Sequence, residues 1–180
     1  MKKLIIALLF LSIGIQAQKW EGYVTITGVH DGDGSYYGIH ENGHKVQLRL
    51  RGVDCPEIYS RYVMKTQPYG VEAGNSIRAL LKDKKVYVIC FGKSFERDVC
   101  DITYYEDSLL TKSKSLATTI VGNGLGWHDG NNYGMKIPKE YKRIGGLRLM
   151  REAKRLKLGL WQNSEAINPI VWRKMYRAKK

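Results

Sequence analysis

An α+β fold is predicted, a five-stranded β-barrel of the OB type with about three helices packed against it. Three observations carry that prediction. Five strand-like segments run to residue 105 and are short, one amphipathic helix interrupts them after the third, and two helices follow. Five strands too short for a sandwich, broken by one helix, suit a small closed barrel.

The elements follow in order. Residues 20–29 are rich in Tyr, Val, Ile and Thr with partial alternation, which reads as a strand. Segments 35–40 and 44–53 flank Glu41-Asn42-Gly43, and Asn-Gly marks a hairpin. Across Val46-Gln47-Leu48-Arg49-Leu50-Arg51 apolar and polar residues alternate, which puts Arg49 and Arg51 on the face opposite the leucines. Ala73, Ile77, Leu80 and Leu81 fall on one stripe of a helix. Strands are expected at 86–91 and 97–105 around a turn at Gly92-Lys93-Ser94, then a short helix over 115–121 that stops near Gly122 and Gly124. The stretch 129–138, rich in Gly and Asn, reads as a loop. In the last expected helix Leu149, Ala153, Leu156 and Leu160 form the buried stripe, Arg148, Arg151, Lys154, Arg155 and Lys157 face solvent, and Gly159 is placed as the C-cap.

The first residues do not belong to this pattern. Lys2 and Lys3 precede an apolar run over 4–15, and Ile15-Gln16-Ala17 resembles a cleavage site. That is the layout of a secretory signal peptide over 1–17, followed by one domain over 18–180, and the run is short for a permanent membrane anchor. A secreted or periplasmic protein, monomeric and without a stable membrane anchor, is therefore expected. The chain of 180 residues carries a net charge of +13, which points to a polyanionic partner, nucleic acid first. Anionic glycan or membrane is the other class that charge alone admits.

Three acidic and basic clusters need a chemical reason in so basic a chain. They are His30-Asp31-Gly32-Asp33-Gly34, then Arg49 through Val53-Asp54-Cys55-Pro56-Glu57, then Phe95-Glu96-Arg97. Carboxylates gathered at strand ends repel one another unless a hard cation relieves them. Oxygen donors without His or Cys clusters favour Ca²⁺ or Mg²⁺ over zinc. His30, His40, His44 and His128 show no ligand spacing, which argues against histidine-based chemistry. Taken singly, Asp-Gly-Asp-Gly is also a turn, Asp54 or Glu57 also a helix cap, and Arg97 also an ordinary ion-pair partner.

Together, in this order and spacing, the clusters resemble the staphylococcal nuclease (thermonuclease-like) family. Its pattern runs Asp-Gly-Asp, then Arg-x-x-x-x-Asp-x-Pro-Glu, then an arginine in the next hairpin. Similarity continues through Tyr69-Gly70-Val71-Glu72-Ala73, Asn123-Gly124-Leu125-Gly126 and Gly159-Leu160-Trp161, about residues 20–162 in all. The resemblance implies a calcium-dependent nuclease acting on DNA, RNA or both. It implies that the Asp33 and Asp54 carboxylates and the Cys55 carbonyl hold Ca²⁺, with Asp31 standing behind them. Arg49 and Arg97 would grip the scissile phosphate, and Glu57 would contact the attacking water. The chain departs from the family at Gly34, Ser94 and Phe95, where threonine, lysine and tyrosine are common. Tyr133 or Tyr141 is a candidate for stacking a base. The alternative reading is a catalytically inactive OB-type nucleic-acid-binding module, but a decayed copy would typically lose one of Asp33, Arg49, Asp54, Glu57 or Arg97.

Cys90 and Cys100 fall on adjacent expected strands of one hairpin. In an oxidising compartment they are expected to pair, leaving Cys55 free.

Overall fold

A computed structural model describes residues 20–32, 34–131, 133–135 and 145–178. The expected signal peptide, Asp33 and Tyr141 lie outside the described residues. Alternation in the sequence becomes alternation in space along β1 (Trp20–Val29), where Val24 and Ile26 point inward and Thr25 and Thr27 outward. β1 pairs antiparallel with β2 (Tyr36–His40) and with β5 (Lys85–Ser94), and β2 pairs with β3 (Lys45–Leu50). β5 pairs antiparallel with β6 (Arg97–Tyr105). The sheet then closes through a parallel pairing of β3 with β6, in register Leu48 to Asp98, Arg49 to Val99 and Leu50 to Cys100. The result is the expected five-stranded OB-type barrel, with four α-helices around it among the described residues.

Its interior is filled by Val24, Ile26, Leu48, Leu50, Val88 and Ile102. The barrel is sealed by Ile77 and Leu81 from α1 (Gly70–Leu81) and by Leu116 and Ile120 from α2 (Leu116–Gly122), all four fully buried. β4 (Val53–Asp54) and β8 (Trp127–His128) form a separate two-stranded sheet, and β7 (Ser113–Ser115) extends the main sheet beyond β6.

Several expectations are corrected. The strand expected over 44–53 is broken at Arg51-Gly52, where Gly52 takes φ 78° and turns the chain out of the barrel into β4. The β5–β6 hairpin turns at Phe95-Glu96, not at Gly92-Lys93-Ser94. Both turn residues have positive φ (49° and 65°), the geometry of a two-residue turn that matches strand twist. Gly92 instead sits at a bulge, where the register shifts after Cys90.

The expected last helix is α3 (Gly146–Arg155), and it ends earlier than Gly159. Lys157, at φ 52°, occupies the left-handed position after the helix. The Leu158 and Lys157 amides donate to the Ala153 and Lys154 carbonyls, a Schellman ending. Leu156 is consequently exposed rather than buried, and Leu160 reaches the interior from a 3₁₀ turn at Gly159–Gln162. A fourth helix, α4 (Pro169–Tyr176), was not expected, although Asn168 and Pro169 form a good start signal. The Asn168 Oδ1 accepts from the Ile170 amide at 2.9 Å. No helix among the described residues is long and apolar enough to cross a membrane.

Cys90 and Cys100 face each other in the β5–β6 register and are joined by a disulfide, while Cys55 is a buried free thiol. Alkylation of the denatured, unreduced protein is expected to label one cysteine, and three after reduction, as read by mass spectrometry. The bridge closes a short loop, so its removal should cost on the order of 2 kcal/mol in a denaturant titration.

Candidate active site

Leaving the barrel at Gly52, the chain sends Asp54 into β4, where it sits opposite Trp127 and is 4 % exposed. Cys55 and Pro56 are buried beyond it, and Glu57 follows at the foot of α1. The Glu57 amide donates to Gln67 Oε1 at 3.1 Å, and the Gln67 amide donates back to the Glu57 carbonyl at 2.8 Å. A Cβ on Gly70 would stand 2.6 Å from that same carbonyl, so only glycine lets α1 begin this close. Sequence reasoning missed Gln67, a buried polar residue whose Nε2 also donates to the Ile167 carbonyl at 2.5 Å. No motif marks it; its role appears only when residues 57, 67 and 167 meet.

The β3–β6 closure brings the two expected phosphate-binding arginines together. A Cβ built on Gly34 would lie 2.7 Å from Arg97 Nη1 and 3.0 Å from Arg49 Nη1, so both guanidiniums converge on this point. Arg97 Nη1 donates to the Gly34 carbonyl. Arg49 Nε donates to the Tyr133 hydroxyl at 2.9 Å, with the guanidinium 5.0 Å from that ring's centre. The candidate base-stacking ring thus lies under an arginine. Phe95, at the tip of the hairpin, is 90 % exposed.

Arg51 has a different task from its neighbour. It is buried, paired through two nitrogens with Asp101 at 3.1 and 2.6 Å, and lies over the Phe91 ring. Alternation alone grouped it with Arg49; the break at Gly52 separates them.

The turn at 30–34 links arginines and carboxylates. Asp31 Oδ1 accepts from the Gly34 amide at 2.7 Å, and Gly32 packs so closely on Cys55 that a Cβ would lie 2.6 Å from its sulfur. Beside this turn, Asp54 and Glu57 converge on a single cationic group, the Arg173 guanidinium from α4. Arg173 Nη1 and Nη2 donate to the two Asp54 oxygens at 2.9 and 2.8 Å, and Nη1 also donates to Glu57 Oε1. Burial raises the Glu57 pKa above the ordinary carboxylate value. The hydrogen bond and charge of Arg173 pull it back, while Asp54 and Asp31 push it further up. Burial works against the Arg173 charge, but its bonds to the two carboxylates outweigh that and hold its pKa above the usual value.

Of the expected site, Arg49 and Arg97 meet, and Asp54, Cys55 and Glu57 stand on one short segment beside Asp31. Asp33, the remaining expected ligand, lies outside the described residues. Among the described residues no three His, Cys, Asp or Glu side chains gather as a metal cluster. The donors that are described nevertheless fit a hard cation. They are carboxylate oxygens from two residues, one nearly buried, already directed at one positive charge.

Geometry therefore defines the class first: an OB-type barrel with a cation-seeking carboxylate pair and a converging arginine pair at one edge. Comparison with known proteins then gives the family. Residues 47–163 match the model of the staphylococcal nuclease homologues, and the chain belongs to that family. It is 32 % identical over 135 residues to a probable staphylococcal-like nuclease of rice (Oryza sativa subsp. japonica), covering 74 % of this chain and 30 % of the relative. It is 27 % identical over 134 residues to a staphylococcal-like nuclease of Arabidopsis thaliana, covering 74 % and 35 %. An uncharacterized endonuclease of Escherichia coli is 24 % identical over 142 residues, covering 78 % and 79 %. The chain thus spans about a third of the length of these plant relatives.

The contrast between adjacent arginines is testable. Arg51→Ala should leave Asp101 without its partner and lower stability by about 2 kcal/mol in urea unfolding, since the pair is largely shielded from water.

Proposed function

We propose that this chain is a secreted, monomeric, calcium-dependent nuclease that hydrolyses phosphodiester bonds of DNA, RNA or both. The observation that carries the reading is the joint placement of Asp54 and Glu57 around one cationic position, with Arg49 and Arg97 converging across the 30–34 turn. The net charge of +13 suits a polyanionic substrate. The N-terminal apolar run and the Cys90–Cys100 bridge support export, with cleavage after residue 17 and one domain over 18–180.

Each residue has a task that its position permits. Arg49 and Arg97 donate to the non-bridging phosphate oxygens and stabilise the charge that builds on them as water attacks phosphorus. Neither guanidinium readily releases a proton, so their contribution is electrostatic and geometric. Glu57 accepts the proton of the attacking water. The phosphorus–oxygen bond to the leaving group then breaks, and that oxygen takes up a proton from solvent water. Asp33, Asp54 and the Cys55 carbonyl are the groups that would hold calcium. When bound there, the ion supplies Lewis-acid stabilisation of the phosphate.

Nuclease activity of the exported protein is expected with calcium and should disappear in chelator. Asp33→Ala and Asp54→Ala should each raise the calcium concentration needed for half-maximal rate; unchanged activity in chelator would remove the metal from the reaction.

The roles of base and arginines separate kinetically. Arg49→Lys and Arg97→Lys keep the charge but lose the planar fork, and each should lower kcat at least ~10²-fold, about 2.7 kcal/mol. Glu57→Gln should lower kcat by ~10²–10⁴-fold while the folded protein still binds calcium in a calorimeter. Folded variants with normal kcat would leave the family assignment standing and overturn these roles.

A further inference from the structure

The Arg173 guanidinium occupies the carboxylates that the proposed mechanism requires to be available. Both Asp54 oxygens accept from it, at 2.9 and 2.8 Å, and Glu57 Oε1 accepts from the same Nη1. Asp54 is nearly buried, so its charge must be balanced locally, and here the balancing charge is the protein's own. A cation held by an Asp54 oxygen and this fork cannot share the same lone-pair directions. A water positioned by Glu57 likewise competes with Arg173.

The contact is built rather than incidental. α4 begins with the Asn168 cap and Pro169, and its Trp172 is buried, with the indole N–H donating to the Lys65 carbonyl at 2.9 Å. The Met64 amide donates to the Tyr176 carbonyl at 2.9 Å, and the Ala178 amide to the Tyr62 carbonyl at 3.1 Å. Gln67 ties Ile167, just before the helix, to the Glu57 backbone. The helix is therefore strapped to the 57–67 segment that carries the proposed base. It also lies beyond residue 163, outside the part of the chain that matches the family.

We propose that α4 is an autoinhibitory latch in which Arg173 acts as an internal counter-cation, displaced from Asp54 and Glu57 when calcium binds. The proposal rests on the calcium-dependent reading above. A latch closed nine times in ten would weaken apparent calcium affinity about tenfold, because only the open fraction competes for the ion. In the resting state the carboxylates stay neutralised, and cleavage waits until calcium is abundant enough to displace the arginine.

The test is calcium titration by calorimetry on the full exported chain, without nucleic acid, comparing the wild type with Arg173→Gln and Arg173→Ala. Both variants remove the charge, and glutamine keeps polar contact for the docked helix should alanine unfold it. The variants are expected to bind calcium ~10-fold or more tightly than wild type, with the half-activating calcium concentration lowered by the same factor. Equal calcium affinity in wild type and variants would overturn the latch and leave the calcium reading intact. Unchanged affinity with a collapsed kcat would make Arg173 a catalytic residue instead, which also overturns it. Calcium binding to none of the three proteins would remove the calcium reading and the latch together.

Discussion

The parallel pairing of β3 with β6 is the constraint on which the rest of the architecture depends. The other four barrel pairings are antiparallel: β1–β2, β2–β3 and β5–β6 join neighbouring strands, and β1–β5 links the two groups. Closure joins segments 50 residues apart, and its loop entropy is offset by burying Leu48, Leu50, Val99 and Cys100 at the seam. It also sets Arg49 beside the start of β6, so Arg97 and Arg49 aim at one turn. The Arg51–Asp101 pair and the Cys90–Cys100 bridge lie just past the same seam. Barrel stability and arginine convergence are thus two consequences of one register.

A second constraint is charge balance around Asp54. A carboxylate this shielded from water is costly without a partner, and here the Arg173 guanidinium supplies it through both Asp54 oxygens. Glu57 shares the same guanidinium, which favours its charged form against burial and its acidic neighbours. The positive partner comes from α4, a helix beyond the part of the chain that matches the family.

Gln67 and Gly70 show how such a site is held without motif residues. One is a buried amide that bonds the Glu57 backbone on one side and Ile167 on the other; the other lacks a Cβ where a carbonyl must approach. Neither touches the carboxylates directly. Both decide where Glu57 stands.

Local pattern in the sequence determined the barrel strands, α1, α2 and the identity of the charged clusters, because alternation, stripe and turn residues act over a few neighbours. It singled out Arg49, Asp54, Glu57 and Arg97 as candidates, through an order and spacing that resemble the family, and Cys90 with Cys100 through hairpin pairing. It did not determine the turn at Phe95-Glu96, where two residues that ordinarily avoid positive φ are carried there by the pairing of β5 with β6. Leu156 was misplaced because the helix stop at Lys157 depends on capping geometry, not on periodicity. Arg49 and Arg51 look equivalent on a strand, and only the turn at Gly52 buries one and directs the other to the site. Arg173 was illegible for the plainest reason. Its partners are 119 and 116 residues away, and no local pattern encodes which distant carboxylates a lone arginine will meet once the chain has folded.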